Sequence, residues 1–483
     1  MHLVFRNPEL TSPMGLQRGI PPAVLSEIMP FNPLSVCIPE EYGGRGGHVH
    51  EFLALLSAAS YESLAFSLTL GINSGLFVQP VAKYAKEEVK QKIFRSFLEE
   101  RKMGGLMITE PDYGTDALNM QTFFTKNNGG YHISGTKHWA GLTGFADYWI
   151  LTARERLEGG DLNRDIDFFI CDVHAPGQEI FVEEYFDNLG LHQIPYGRNR
   201  IDVKIPVEMR LEPKSSGIKL LLDLLHRSRM HFPGMATGFI HRMMDEAGEH
   251  CKQRWVSGTT LNKYDQVQYR LARLQASYTL TSAMCAYSSS KAGIEHDLAS
   301  YGMVANSMKS LCTDMMQEAA QSLVQMAGAK AYRFSHLGGR GIIDSRPFQI
   351  FEGSNDLLYA QIGEGLVKRM KKTGEKNLYR FLQSYRRTLK ASPLVKEVLD
   401  FELSMPPEQR KSVVLGQVIS RVITMEMVID MGMRGFRKDL INNCLAVLTN
   451  DIAGLIGHFR KADHTRFIED YQEGSSWFNF ISK

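Results

Sequence analysis

The chain has 483 residues, of which 43% are hydrophobic, 22% charged and 10% aromatic. That is room for about three domains of ordinary size with a substantial core, and it excludes disorder throughout. Lys and Arg number 55 against 53 Asp and Glu, a formal net charge of +2, so no chain-wide basic field exists to hold a polyanion and no nucleic-acid partner is expected.

No run of about 18 uninterrupted apolar residues occurs, so no membrane span is expected. The apolar stretch Val413–Met433 is broken by Arg421, Glu426 and Asp430. The opening residues lack the basic segment, apolar run and cleavage site of a secretory leader. Six cysteines are scattered with no C-x-x-C pair. A disulfide framework or zinc ribbon is therefore not expected, and a reducing interior, most simply the cytoplasm, is.

Residues 1–105 read as a helical domain. Phe52–Glu62 and Glu87–Glu100 mix apolar and charged positions at helical spacing. The Pro- and Gly-rich run 38–47 separates such segments as a turn. Residues 106–212 change character. Thr122–Lys126, an Asn-Asn-Gly-Gly turn and Tyr131–Ser134 predict a hairpin, and Tyr148–Thr152, Ile166–Val173, Glu179–Glu184 and Arg200–Ile205 predict further strands. Strands joined without intervening helices point to an antiparallel sandwich or barrel. Residues 213–372 are helical again. Leu271, Leu274, Tyr278, Ser282 and Cys285 form one stripe, and Met308, Leu311, Met315, Ala319 and Ser322 another. Long helices striped in this way pack as a bundle. Residues 373–483 predict an additional helical domain. The fold class is α+β: helical domain, antiparallel β domain, helical bundle, helical extension.

Single motifs are weak alone. The runs Gly43–Gly47 and Gly338–Gly341 lack the strand–turn–helix setting of a dinucleotide fingerprint and read as plain turns. His226, His231, His241 and His250 share one helical stretch without ligand spacing, so no metal is expected. The segment Met107–Asp116 joins the first helical region to the β domain, and its hydroxyls and free N–H groups suit a polar ring edge or a pyrophosphate. Trp139, at the end of a strand pair, offers a flat surface for stacking. Glu352 follows Phe348, Ile350 and Phe351 and precedes Gly353. Apolar neighbours raise a carboxyl pKa, and a base facing a weakly acidic C–H works best with its pKa near the working pH.

Taken in order, these segments resemble the acyl-CoA dehydrogenase family of flavoproteins. The matching residues are Ile38–Gly44, Met107–Pro111 with Gly114-Thr-Asp116, Gly135-Thr-Lys-x-Trp139, Arg229 nine residues before Gly238, Gln253-Arg254 with Gly258, and Asp344 with Gln349–Gly353. The resemblance spans residues 36–372, about 70% of the chain. It implies FAD bound between the β domain and the bundle, with an acyl-CoA thioester against the flavin. Glu352 matches the family's catalytic base, removing the α proton while hydride leaves the β carbon for flavin N5, to give a trans-2-enoyl-CoA. By the same matching, Met107, Thr109, Thr115, Trp139, Gly141 and Ser354 contact the flavin. Arg254, Gln325 and Gly328 match positions that reach the FAD diphosphate and adenosine across a subunit interface. Thr115, Arg229, Glu352 and Gly353 match the substrate side of the cleft. The run Ala140–Thr143 departs from the family pattern, which implies that one flavin hydrogen bond is lost or moved to Thr143. The resemblance also implies an electron-transferring flavoprotein as acceptor and a homodimer, with a tetramer as the alternative. An acyl-CoA oxidase reoxidised by O₂ is the alternative enzyme. A flavin-containing DNA-binding protein of the alkylation-response kind is the alternative from another class.

Overall fold

The computed structural model describes residues 1–7, 18–127, 129–404, 407–461 and 465–469; expectations that fall on the remaining residues lie outside the described ones. Among the described residues, six α-helices precede the sheet: α1 (His2–Phe5), α2 (Pro22–Ile28), α3 (Val49–Glu62), α4 (Leu64–Gly71), α5 (Gln79–Tyr84) and α6 (Glu87–Glu99). Between α4 and α5 the chain stays coiled as a π-helix, Ile72–Val78. In α6 the buried Val89, Ile93, Phe94 and Phe97 recur at helical spacing, and Glu87 and Glu88 suit the positive end of its dipole.

The middle region forms one seven-stranded sheet: β1 (Gly104–Met107), β2 (Phe123–Asn127), β3 (Gly130–His138), β4 (Tyr148–Glu155), β5 (Asp167–Asp172), β6 (Ile180–Tyr185) and β7 (Gly197–Pro206). Burial alternates along β7, with Asn199, Ile201, Val203 and Ile205 inward and Arg200, Asp202 and Lys204 outward. The sheet is mixed, which corrects the antiparallel expectation in two pairings. β1 and β2 both lie parallel to β4, while the other named pairs are antiparallel. The π-helical region and α6 carry the chain between domains, so β1 enters the sheet without a hairpin partner. Sequence reading missed β1, because its Gly104-Gly105 pair looks like a breaker. Both glycines are required by close packing: a Cβ would stand 2.3 Å from the Phe77 ring and 2.5 Å from the Trp149 ring respectively.

The bundle is built from α7 (Gly217–Gln253), α8 (Asp265–Lys291), α9 (Gly302–Ala327), α10 (Leu337–Ser345) and α11 (Asn355–Thr373). The 37 residues of α7 run about 55 Å at 1.5 Å per residue. The Asp165 carboxylate accepts from the Gly217 and Ile218 N–H groups, so a loop between β4 and β5 anchors the start of α7. The N-terminal domain packs closely on α7: a Cβ at Gly238 would lie 1.9 Å from the Ser57 carbonyl oxygen. Gly338–Gly341, read from sequence as a turn, lies inside α10. A Cβ at Gly339 would stand 2.5 Å from the Arg333 carbonyl, so close approach and not chain reversal selects these glycines.

The extension adds α12 (Leu378–Ser384), α13 (Lys396–Leu399), α14 (Gln409–Met433) and α15 (Lys438–Arg460). α14 lies against α8, α9 and α11, and α15 against α8 and α14. By length and composition Leu64–Tyr84, Gln409–Met433 and Lys438–Arg460 are each long and apolar enough to cross a membrane. Scattered charges interrupt these helices without lowering their mean hydropathy enough. The first two are 89% and 67% buried inside the protein and the third 28%.

Candidate active site

Glu352 lies in the short link between α10 and α11. Its φ of 53° is left-handed, and Gly353 follows at 92°. A non-glycine residue held there costs about 1–3 kcal/mol, so surrounding contacts must over-determine it. They come from two helices. Arg229 on α7 donates from Nε and Nη2 to the Glu352 carbonyl at 3.0 and 2.8 Å, and from Nη1 to Asn306 Oδ1 at 2.7 Å. Lys309 on α9 donates to the Gly353 carbonyl at 2.8 Å and to Asn355 Oδ1 at 3.1 Å. The Ser228 hydroxyl donates to Glu352 Oε1 at 2.8 Å. Glu352 Oε2 is buried without a partner. Burial pushes the Glu352 carboxyl above the usual range, opposed by the Arg229 charge, the Ser228 hydrogen bond and the Lys309 charge. Phe232, Phe348 and Phe351 pack as a ring cluster beside it, with centroids 4.9–6.0 Å apart.

Asp344, part of the sequence motif, is a strut between domains: it accepts from the Leu191 N–H at 2.7 Å and pairs with Arg340. Gly190 is required at this junction, since a Cβ would stand 2.3 Å from the Ile343 carbonyl. The same margin of the sheet carries Trp139, in a left-handed turn (φ 57°) and 52% exposed. Its ring lies 4.4 Å from that of Phe186 and 6.2 Å from that of Tyr196. Gly141, two residues on, abuts Ile72 of the π-helix, so this turn sits where the β domain meets the N-terminal helical domain. Thr109 is half-buried at the same strand end, and its carbonyl accepts from the His138 N–H at 2.8 Å. Ser354 precedes α11 without spending its hydroxyl on a cap.

Several residues fall elsewhere. The Met107 side chain is in the core, 1% exposed, so it offers no side-chain contact on the cleft. Thr115 is exposed in the loop after β1. Thr143 corrects the sequence expectation of a flavin hydrogen bond. It is fully buried, its hydroxyl donates to the Ala140 carbonyl at 2.7 Å, and it accepts from Asn199 at 3.1 Å. Arg254, Gln325 and Gly328 are exposed and cluster at the far end of the bundle, where Cys251 of α7 meets Met326 of α9 at 3.9 Å. Gln325 is 16 residues beyond Lys309, about 24 Å along α9, so these residues do not face Glu352 within one chain.

Sequence reading missed Lys309, whose place on a helix of mixed apolar and polar residues gives no signal, and Ser228. It also missed the buried pair Lys137–Glu110 at 3.0 Å. Glu110 accepts there from the Gln121 and Thr122 N–H groups and holds the Thr109 segment in place.

Profiles described as the acyl-CoA dehydrogenase N-terminal, middle and C-terminal domains match residues 14–101, 105–203 and 215–367. The chain belongs to the acyl-CoA dehydrogenase family. It is 27% identical to a short-chain-specific acyl-CoA dehydrogenase of Megasphaera elsdenii, over 71% of this chain and 90% of that protein. It is 23% identical to the very long-chain specific mitochondrial enzyme of Mus musculus, over 66% of this chain and 49% of that one. Among solved structures, butyryl-CoA dehydrogenase from Megasphaera elsdenii superimposes with a TM-score of 0.65 at 25% identity, covering 73% of this chain and 91% of that one. An acyl-CoA dehydrogenase from Bacillus anthracis, complexed with FAD, gives 0.74 at 19% identity, covering 90% and 82%. That coverage takes in much of the extension.

The residues present fit a flavin. An exposed tryptophan ring and a half-buried threonine meet at one end of the sheet, and an uncapped serine hydroxyl stands two residues from a buried carboxylate oxygen that lacks a partner.

Proposed function

We propose that the protein is an FAD-dependent acyl-CoA dehydrogenase that converts an acyl-CoA thioester to its trans-2-enoyl-CoA, with Glu352 as the base that takes the α proton. The observation that carries this reading is the buried, unpartnered Oε2 of Glu352 on a turn clamped by Arg229 and Lys309. Oε1 is engaged by Ser228, so Oε2 is the oxygen free to accept the proton. Burial raises the basicity of the carboxylate, and the nearby cations keep its ionised form accessible. Bound FAD supplies the acceptor for the two electrons that leave with the β hydrogen. Trp139, Thr109 and Ser354 would hold the flavin ring. Arg254, Gln325 and Gly328, remote from their own chain's base, suit the cofactor of a second copy. We therefore infer a homodimer. An acyl-CoA substrate, reoxidation by an electron-transferring flavoprotein and a reducing, cytoplasmic setting complete the reading. The six cysteines, all unpaired, support that setting.

The test is anaerobic flavin bleaching by a panel of butyryl-, isovaleryl-, octanoyl- and palmitoyl-CoA. Wild type is expected to bleach with at least one. Glu352→Gln is expected to keep its FAD and its thioester affinity but bleach about 10²–10⁴-fold more slowly. Undiminished bleaching would place the base elsewhere. Peroxide released on turnover in air would favour the oxidase chemistry.

A further inference from the structure

Lys309 is a lysine inside the bundle with no exposed surface, the one buried charged side chain on a stretch that mixes Met308, Leu311 and Met315 with Asn306, Ser307, Ser310 and Thr313. A buried ammonium is costly unless its protons are used, and a helix interior that needed only packing would place an apolar side chain there. Its protons are used on one short piece of chain. Nζ bonds the Gly353 carbonyl at 2.8 Å and Asn355 Oδ1 at 3.1 Å, the residues just after the base. Asn355 in turn donates to the Ser310 carbonyl and to Asp314, so its side chain is fixed. Arg229 holds the preceding carbonyl, that of Glu352, from the opposite helix. Two cations on two helices therefore grip two consecutive carbonyls of a left-handed turn.

We propose that Lys309 is a positioning residue for the base: its ammonium locks the 352–353 turn that aims the Glu352 carboxylate, and its charge holds that carboxylate ionised. The inference rests on the proposed role of Glu352. The groups facing Glu352 are Arg229 and Ser228 from α7 and Lys309 from α9; those facing Lys309 are Glu352, Arg229, Cys312 and Asp314. Burial brings the lysine down to about 7, with the Glu352 charge as the largest opposing effect. Each group's charge thus favours the ionised form of the other.

Two variants separate the two roles. Lys309→Gln keeps a donor for the Gly353 carbonyl and loses the charge. Lys309→Met loses both. The first readout needs no turnover: the pH midpoint of the protonated carboxyl C=O stretch in the infrared, assigned to Glu352 by its loss in Glu352→Gln. Removing a nearby cation raises a carboxyl pKa, so both variants are expected to move that midpoint upward by about one pH unit. The second readout is anaerobic bleaching of the FAD holoenzyme by the acyl-CoA that bleaches wild type best. In Lys309→Gln the acid limb is expected to move with the midpoint, and the high-pH rate to stay within about threefold of wild type. In Lys309→Met the high-pH rate is expected to fall about tenfold or more, with thioester affinity unchanged. Lys309→Arg, which keeps charge and donors, is expected to restore the wild-type midpoint. An unmoved midpoint in folded Lys309→Gln overturns the proposal. So does failure of all three variants to fold, which would make Lys309 a stability residue alone. Wild-type protein that no acyl-CoA bleaches defeats the proposed function instead, and the two failures are thereby distinct.

Discussion

A single residue, Glu352, joins strain, burial and chemistry. Its left-handed backbone and buried carboxyl both cost stability, and the gain is a free oxygen beside a clamped turn. The sign of its pH effect follows from its raised pKa. Between the ordinary carboxyl pKa and the raised folded one, the native state binds more protons than the unfolded chain. Its contribution is therefore full below the ordinary value and is lost as pH rises through the folded one. Glu352→Gln lacks this loss. Its Tm is expected to climb above wild type as pH rises through that window, and to approach wild type below it; calorimetry across pH checks this, and a gap that ignores pH would contradict it. The proposed base was marked in the sequence by its match to the family motif, with apolar neighbours and a following Gly consistent with it. Lys309 and Ser228 were not, since they reach the turn from helices 43 and 124 residues away along the chain.

At the scale of elements, glycines decide how near the helices come. α11 and α14 approach through Gly363 and Gly416. A Cβ at Gly416 would lie 1.9 Å from the Tyr359 carbonyl, and one at Gly363 2.3 Å from that of Ser412. Gly416→Ala is expected to force these helices apart and cost about 1–3 kcal/mol, read as a lower denaturant midpoint with an unchanged m-value. Asp314 stands just beneath, accepting from Tyr359, Asn355 and Gln349. A shift in α11 therefore reaches the turn of the base, and the same variant is expected to slow bleaching. Strand and helix periods in the chain marked most of these elements. They failed at Gly104–Met107 and at Gly338–Gly341, where glycine serves close approach and local pattern reads it as a break.

Across the whole molecule, the extension is fastened to the bundle by charge and by apolar area. Arg273 of α8 pairs with Glu318 of α9 at 2.7 Å and with Asp451 of α15 at 2.8 Å. α14 buries Leu415, Val418, Ile419, Val422, Ile423 and Met425. A chain ending at residue 372 would uncover the facing sides of α8, α9 and α11. It is expected to sediment as larger species than the full chain, or to aggregate, because exposed apolar area of that kind seeks a partner. A truncated chain with the full chain's oligomeric state would show that the extension shields nothing.

The sequence by itself determined the order of helical, strand-rich and helical regions and the family, and it singled out Glu352 as the proposed base. Hydrophobic period, turn chemistry and short motifs are local properties, and each is written in consecutive residues. Only the tertiary structure decided the parallel pairings of β1 and β2 with β4, the core placement of Thr143, and the separation of Arg254 and Gln325 from the base. It also decided the clamp of Arg229 and Lys309 on the turn. These depend on which distant segments meet once apolar surface is buried, and that meeting is fixed by packing geometry that no local window contains.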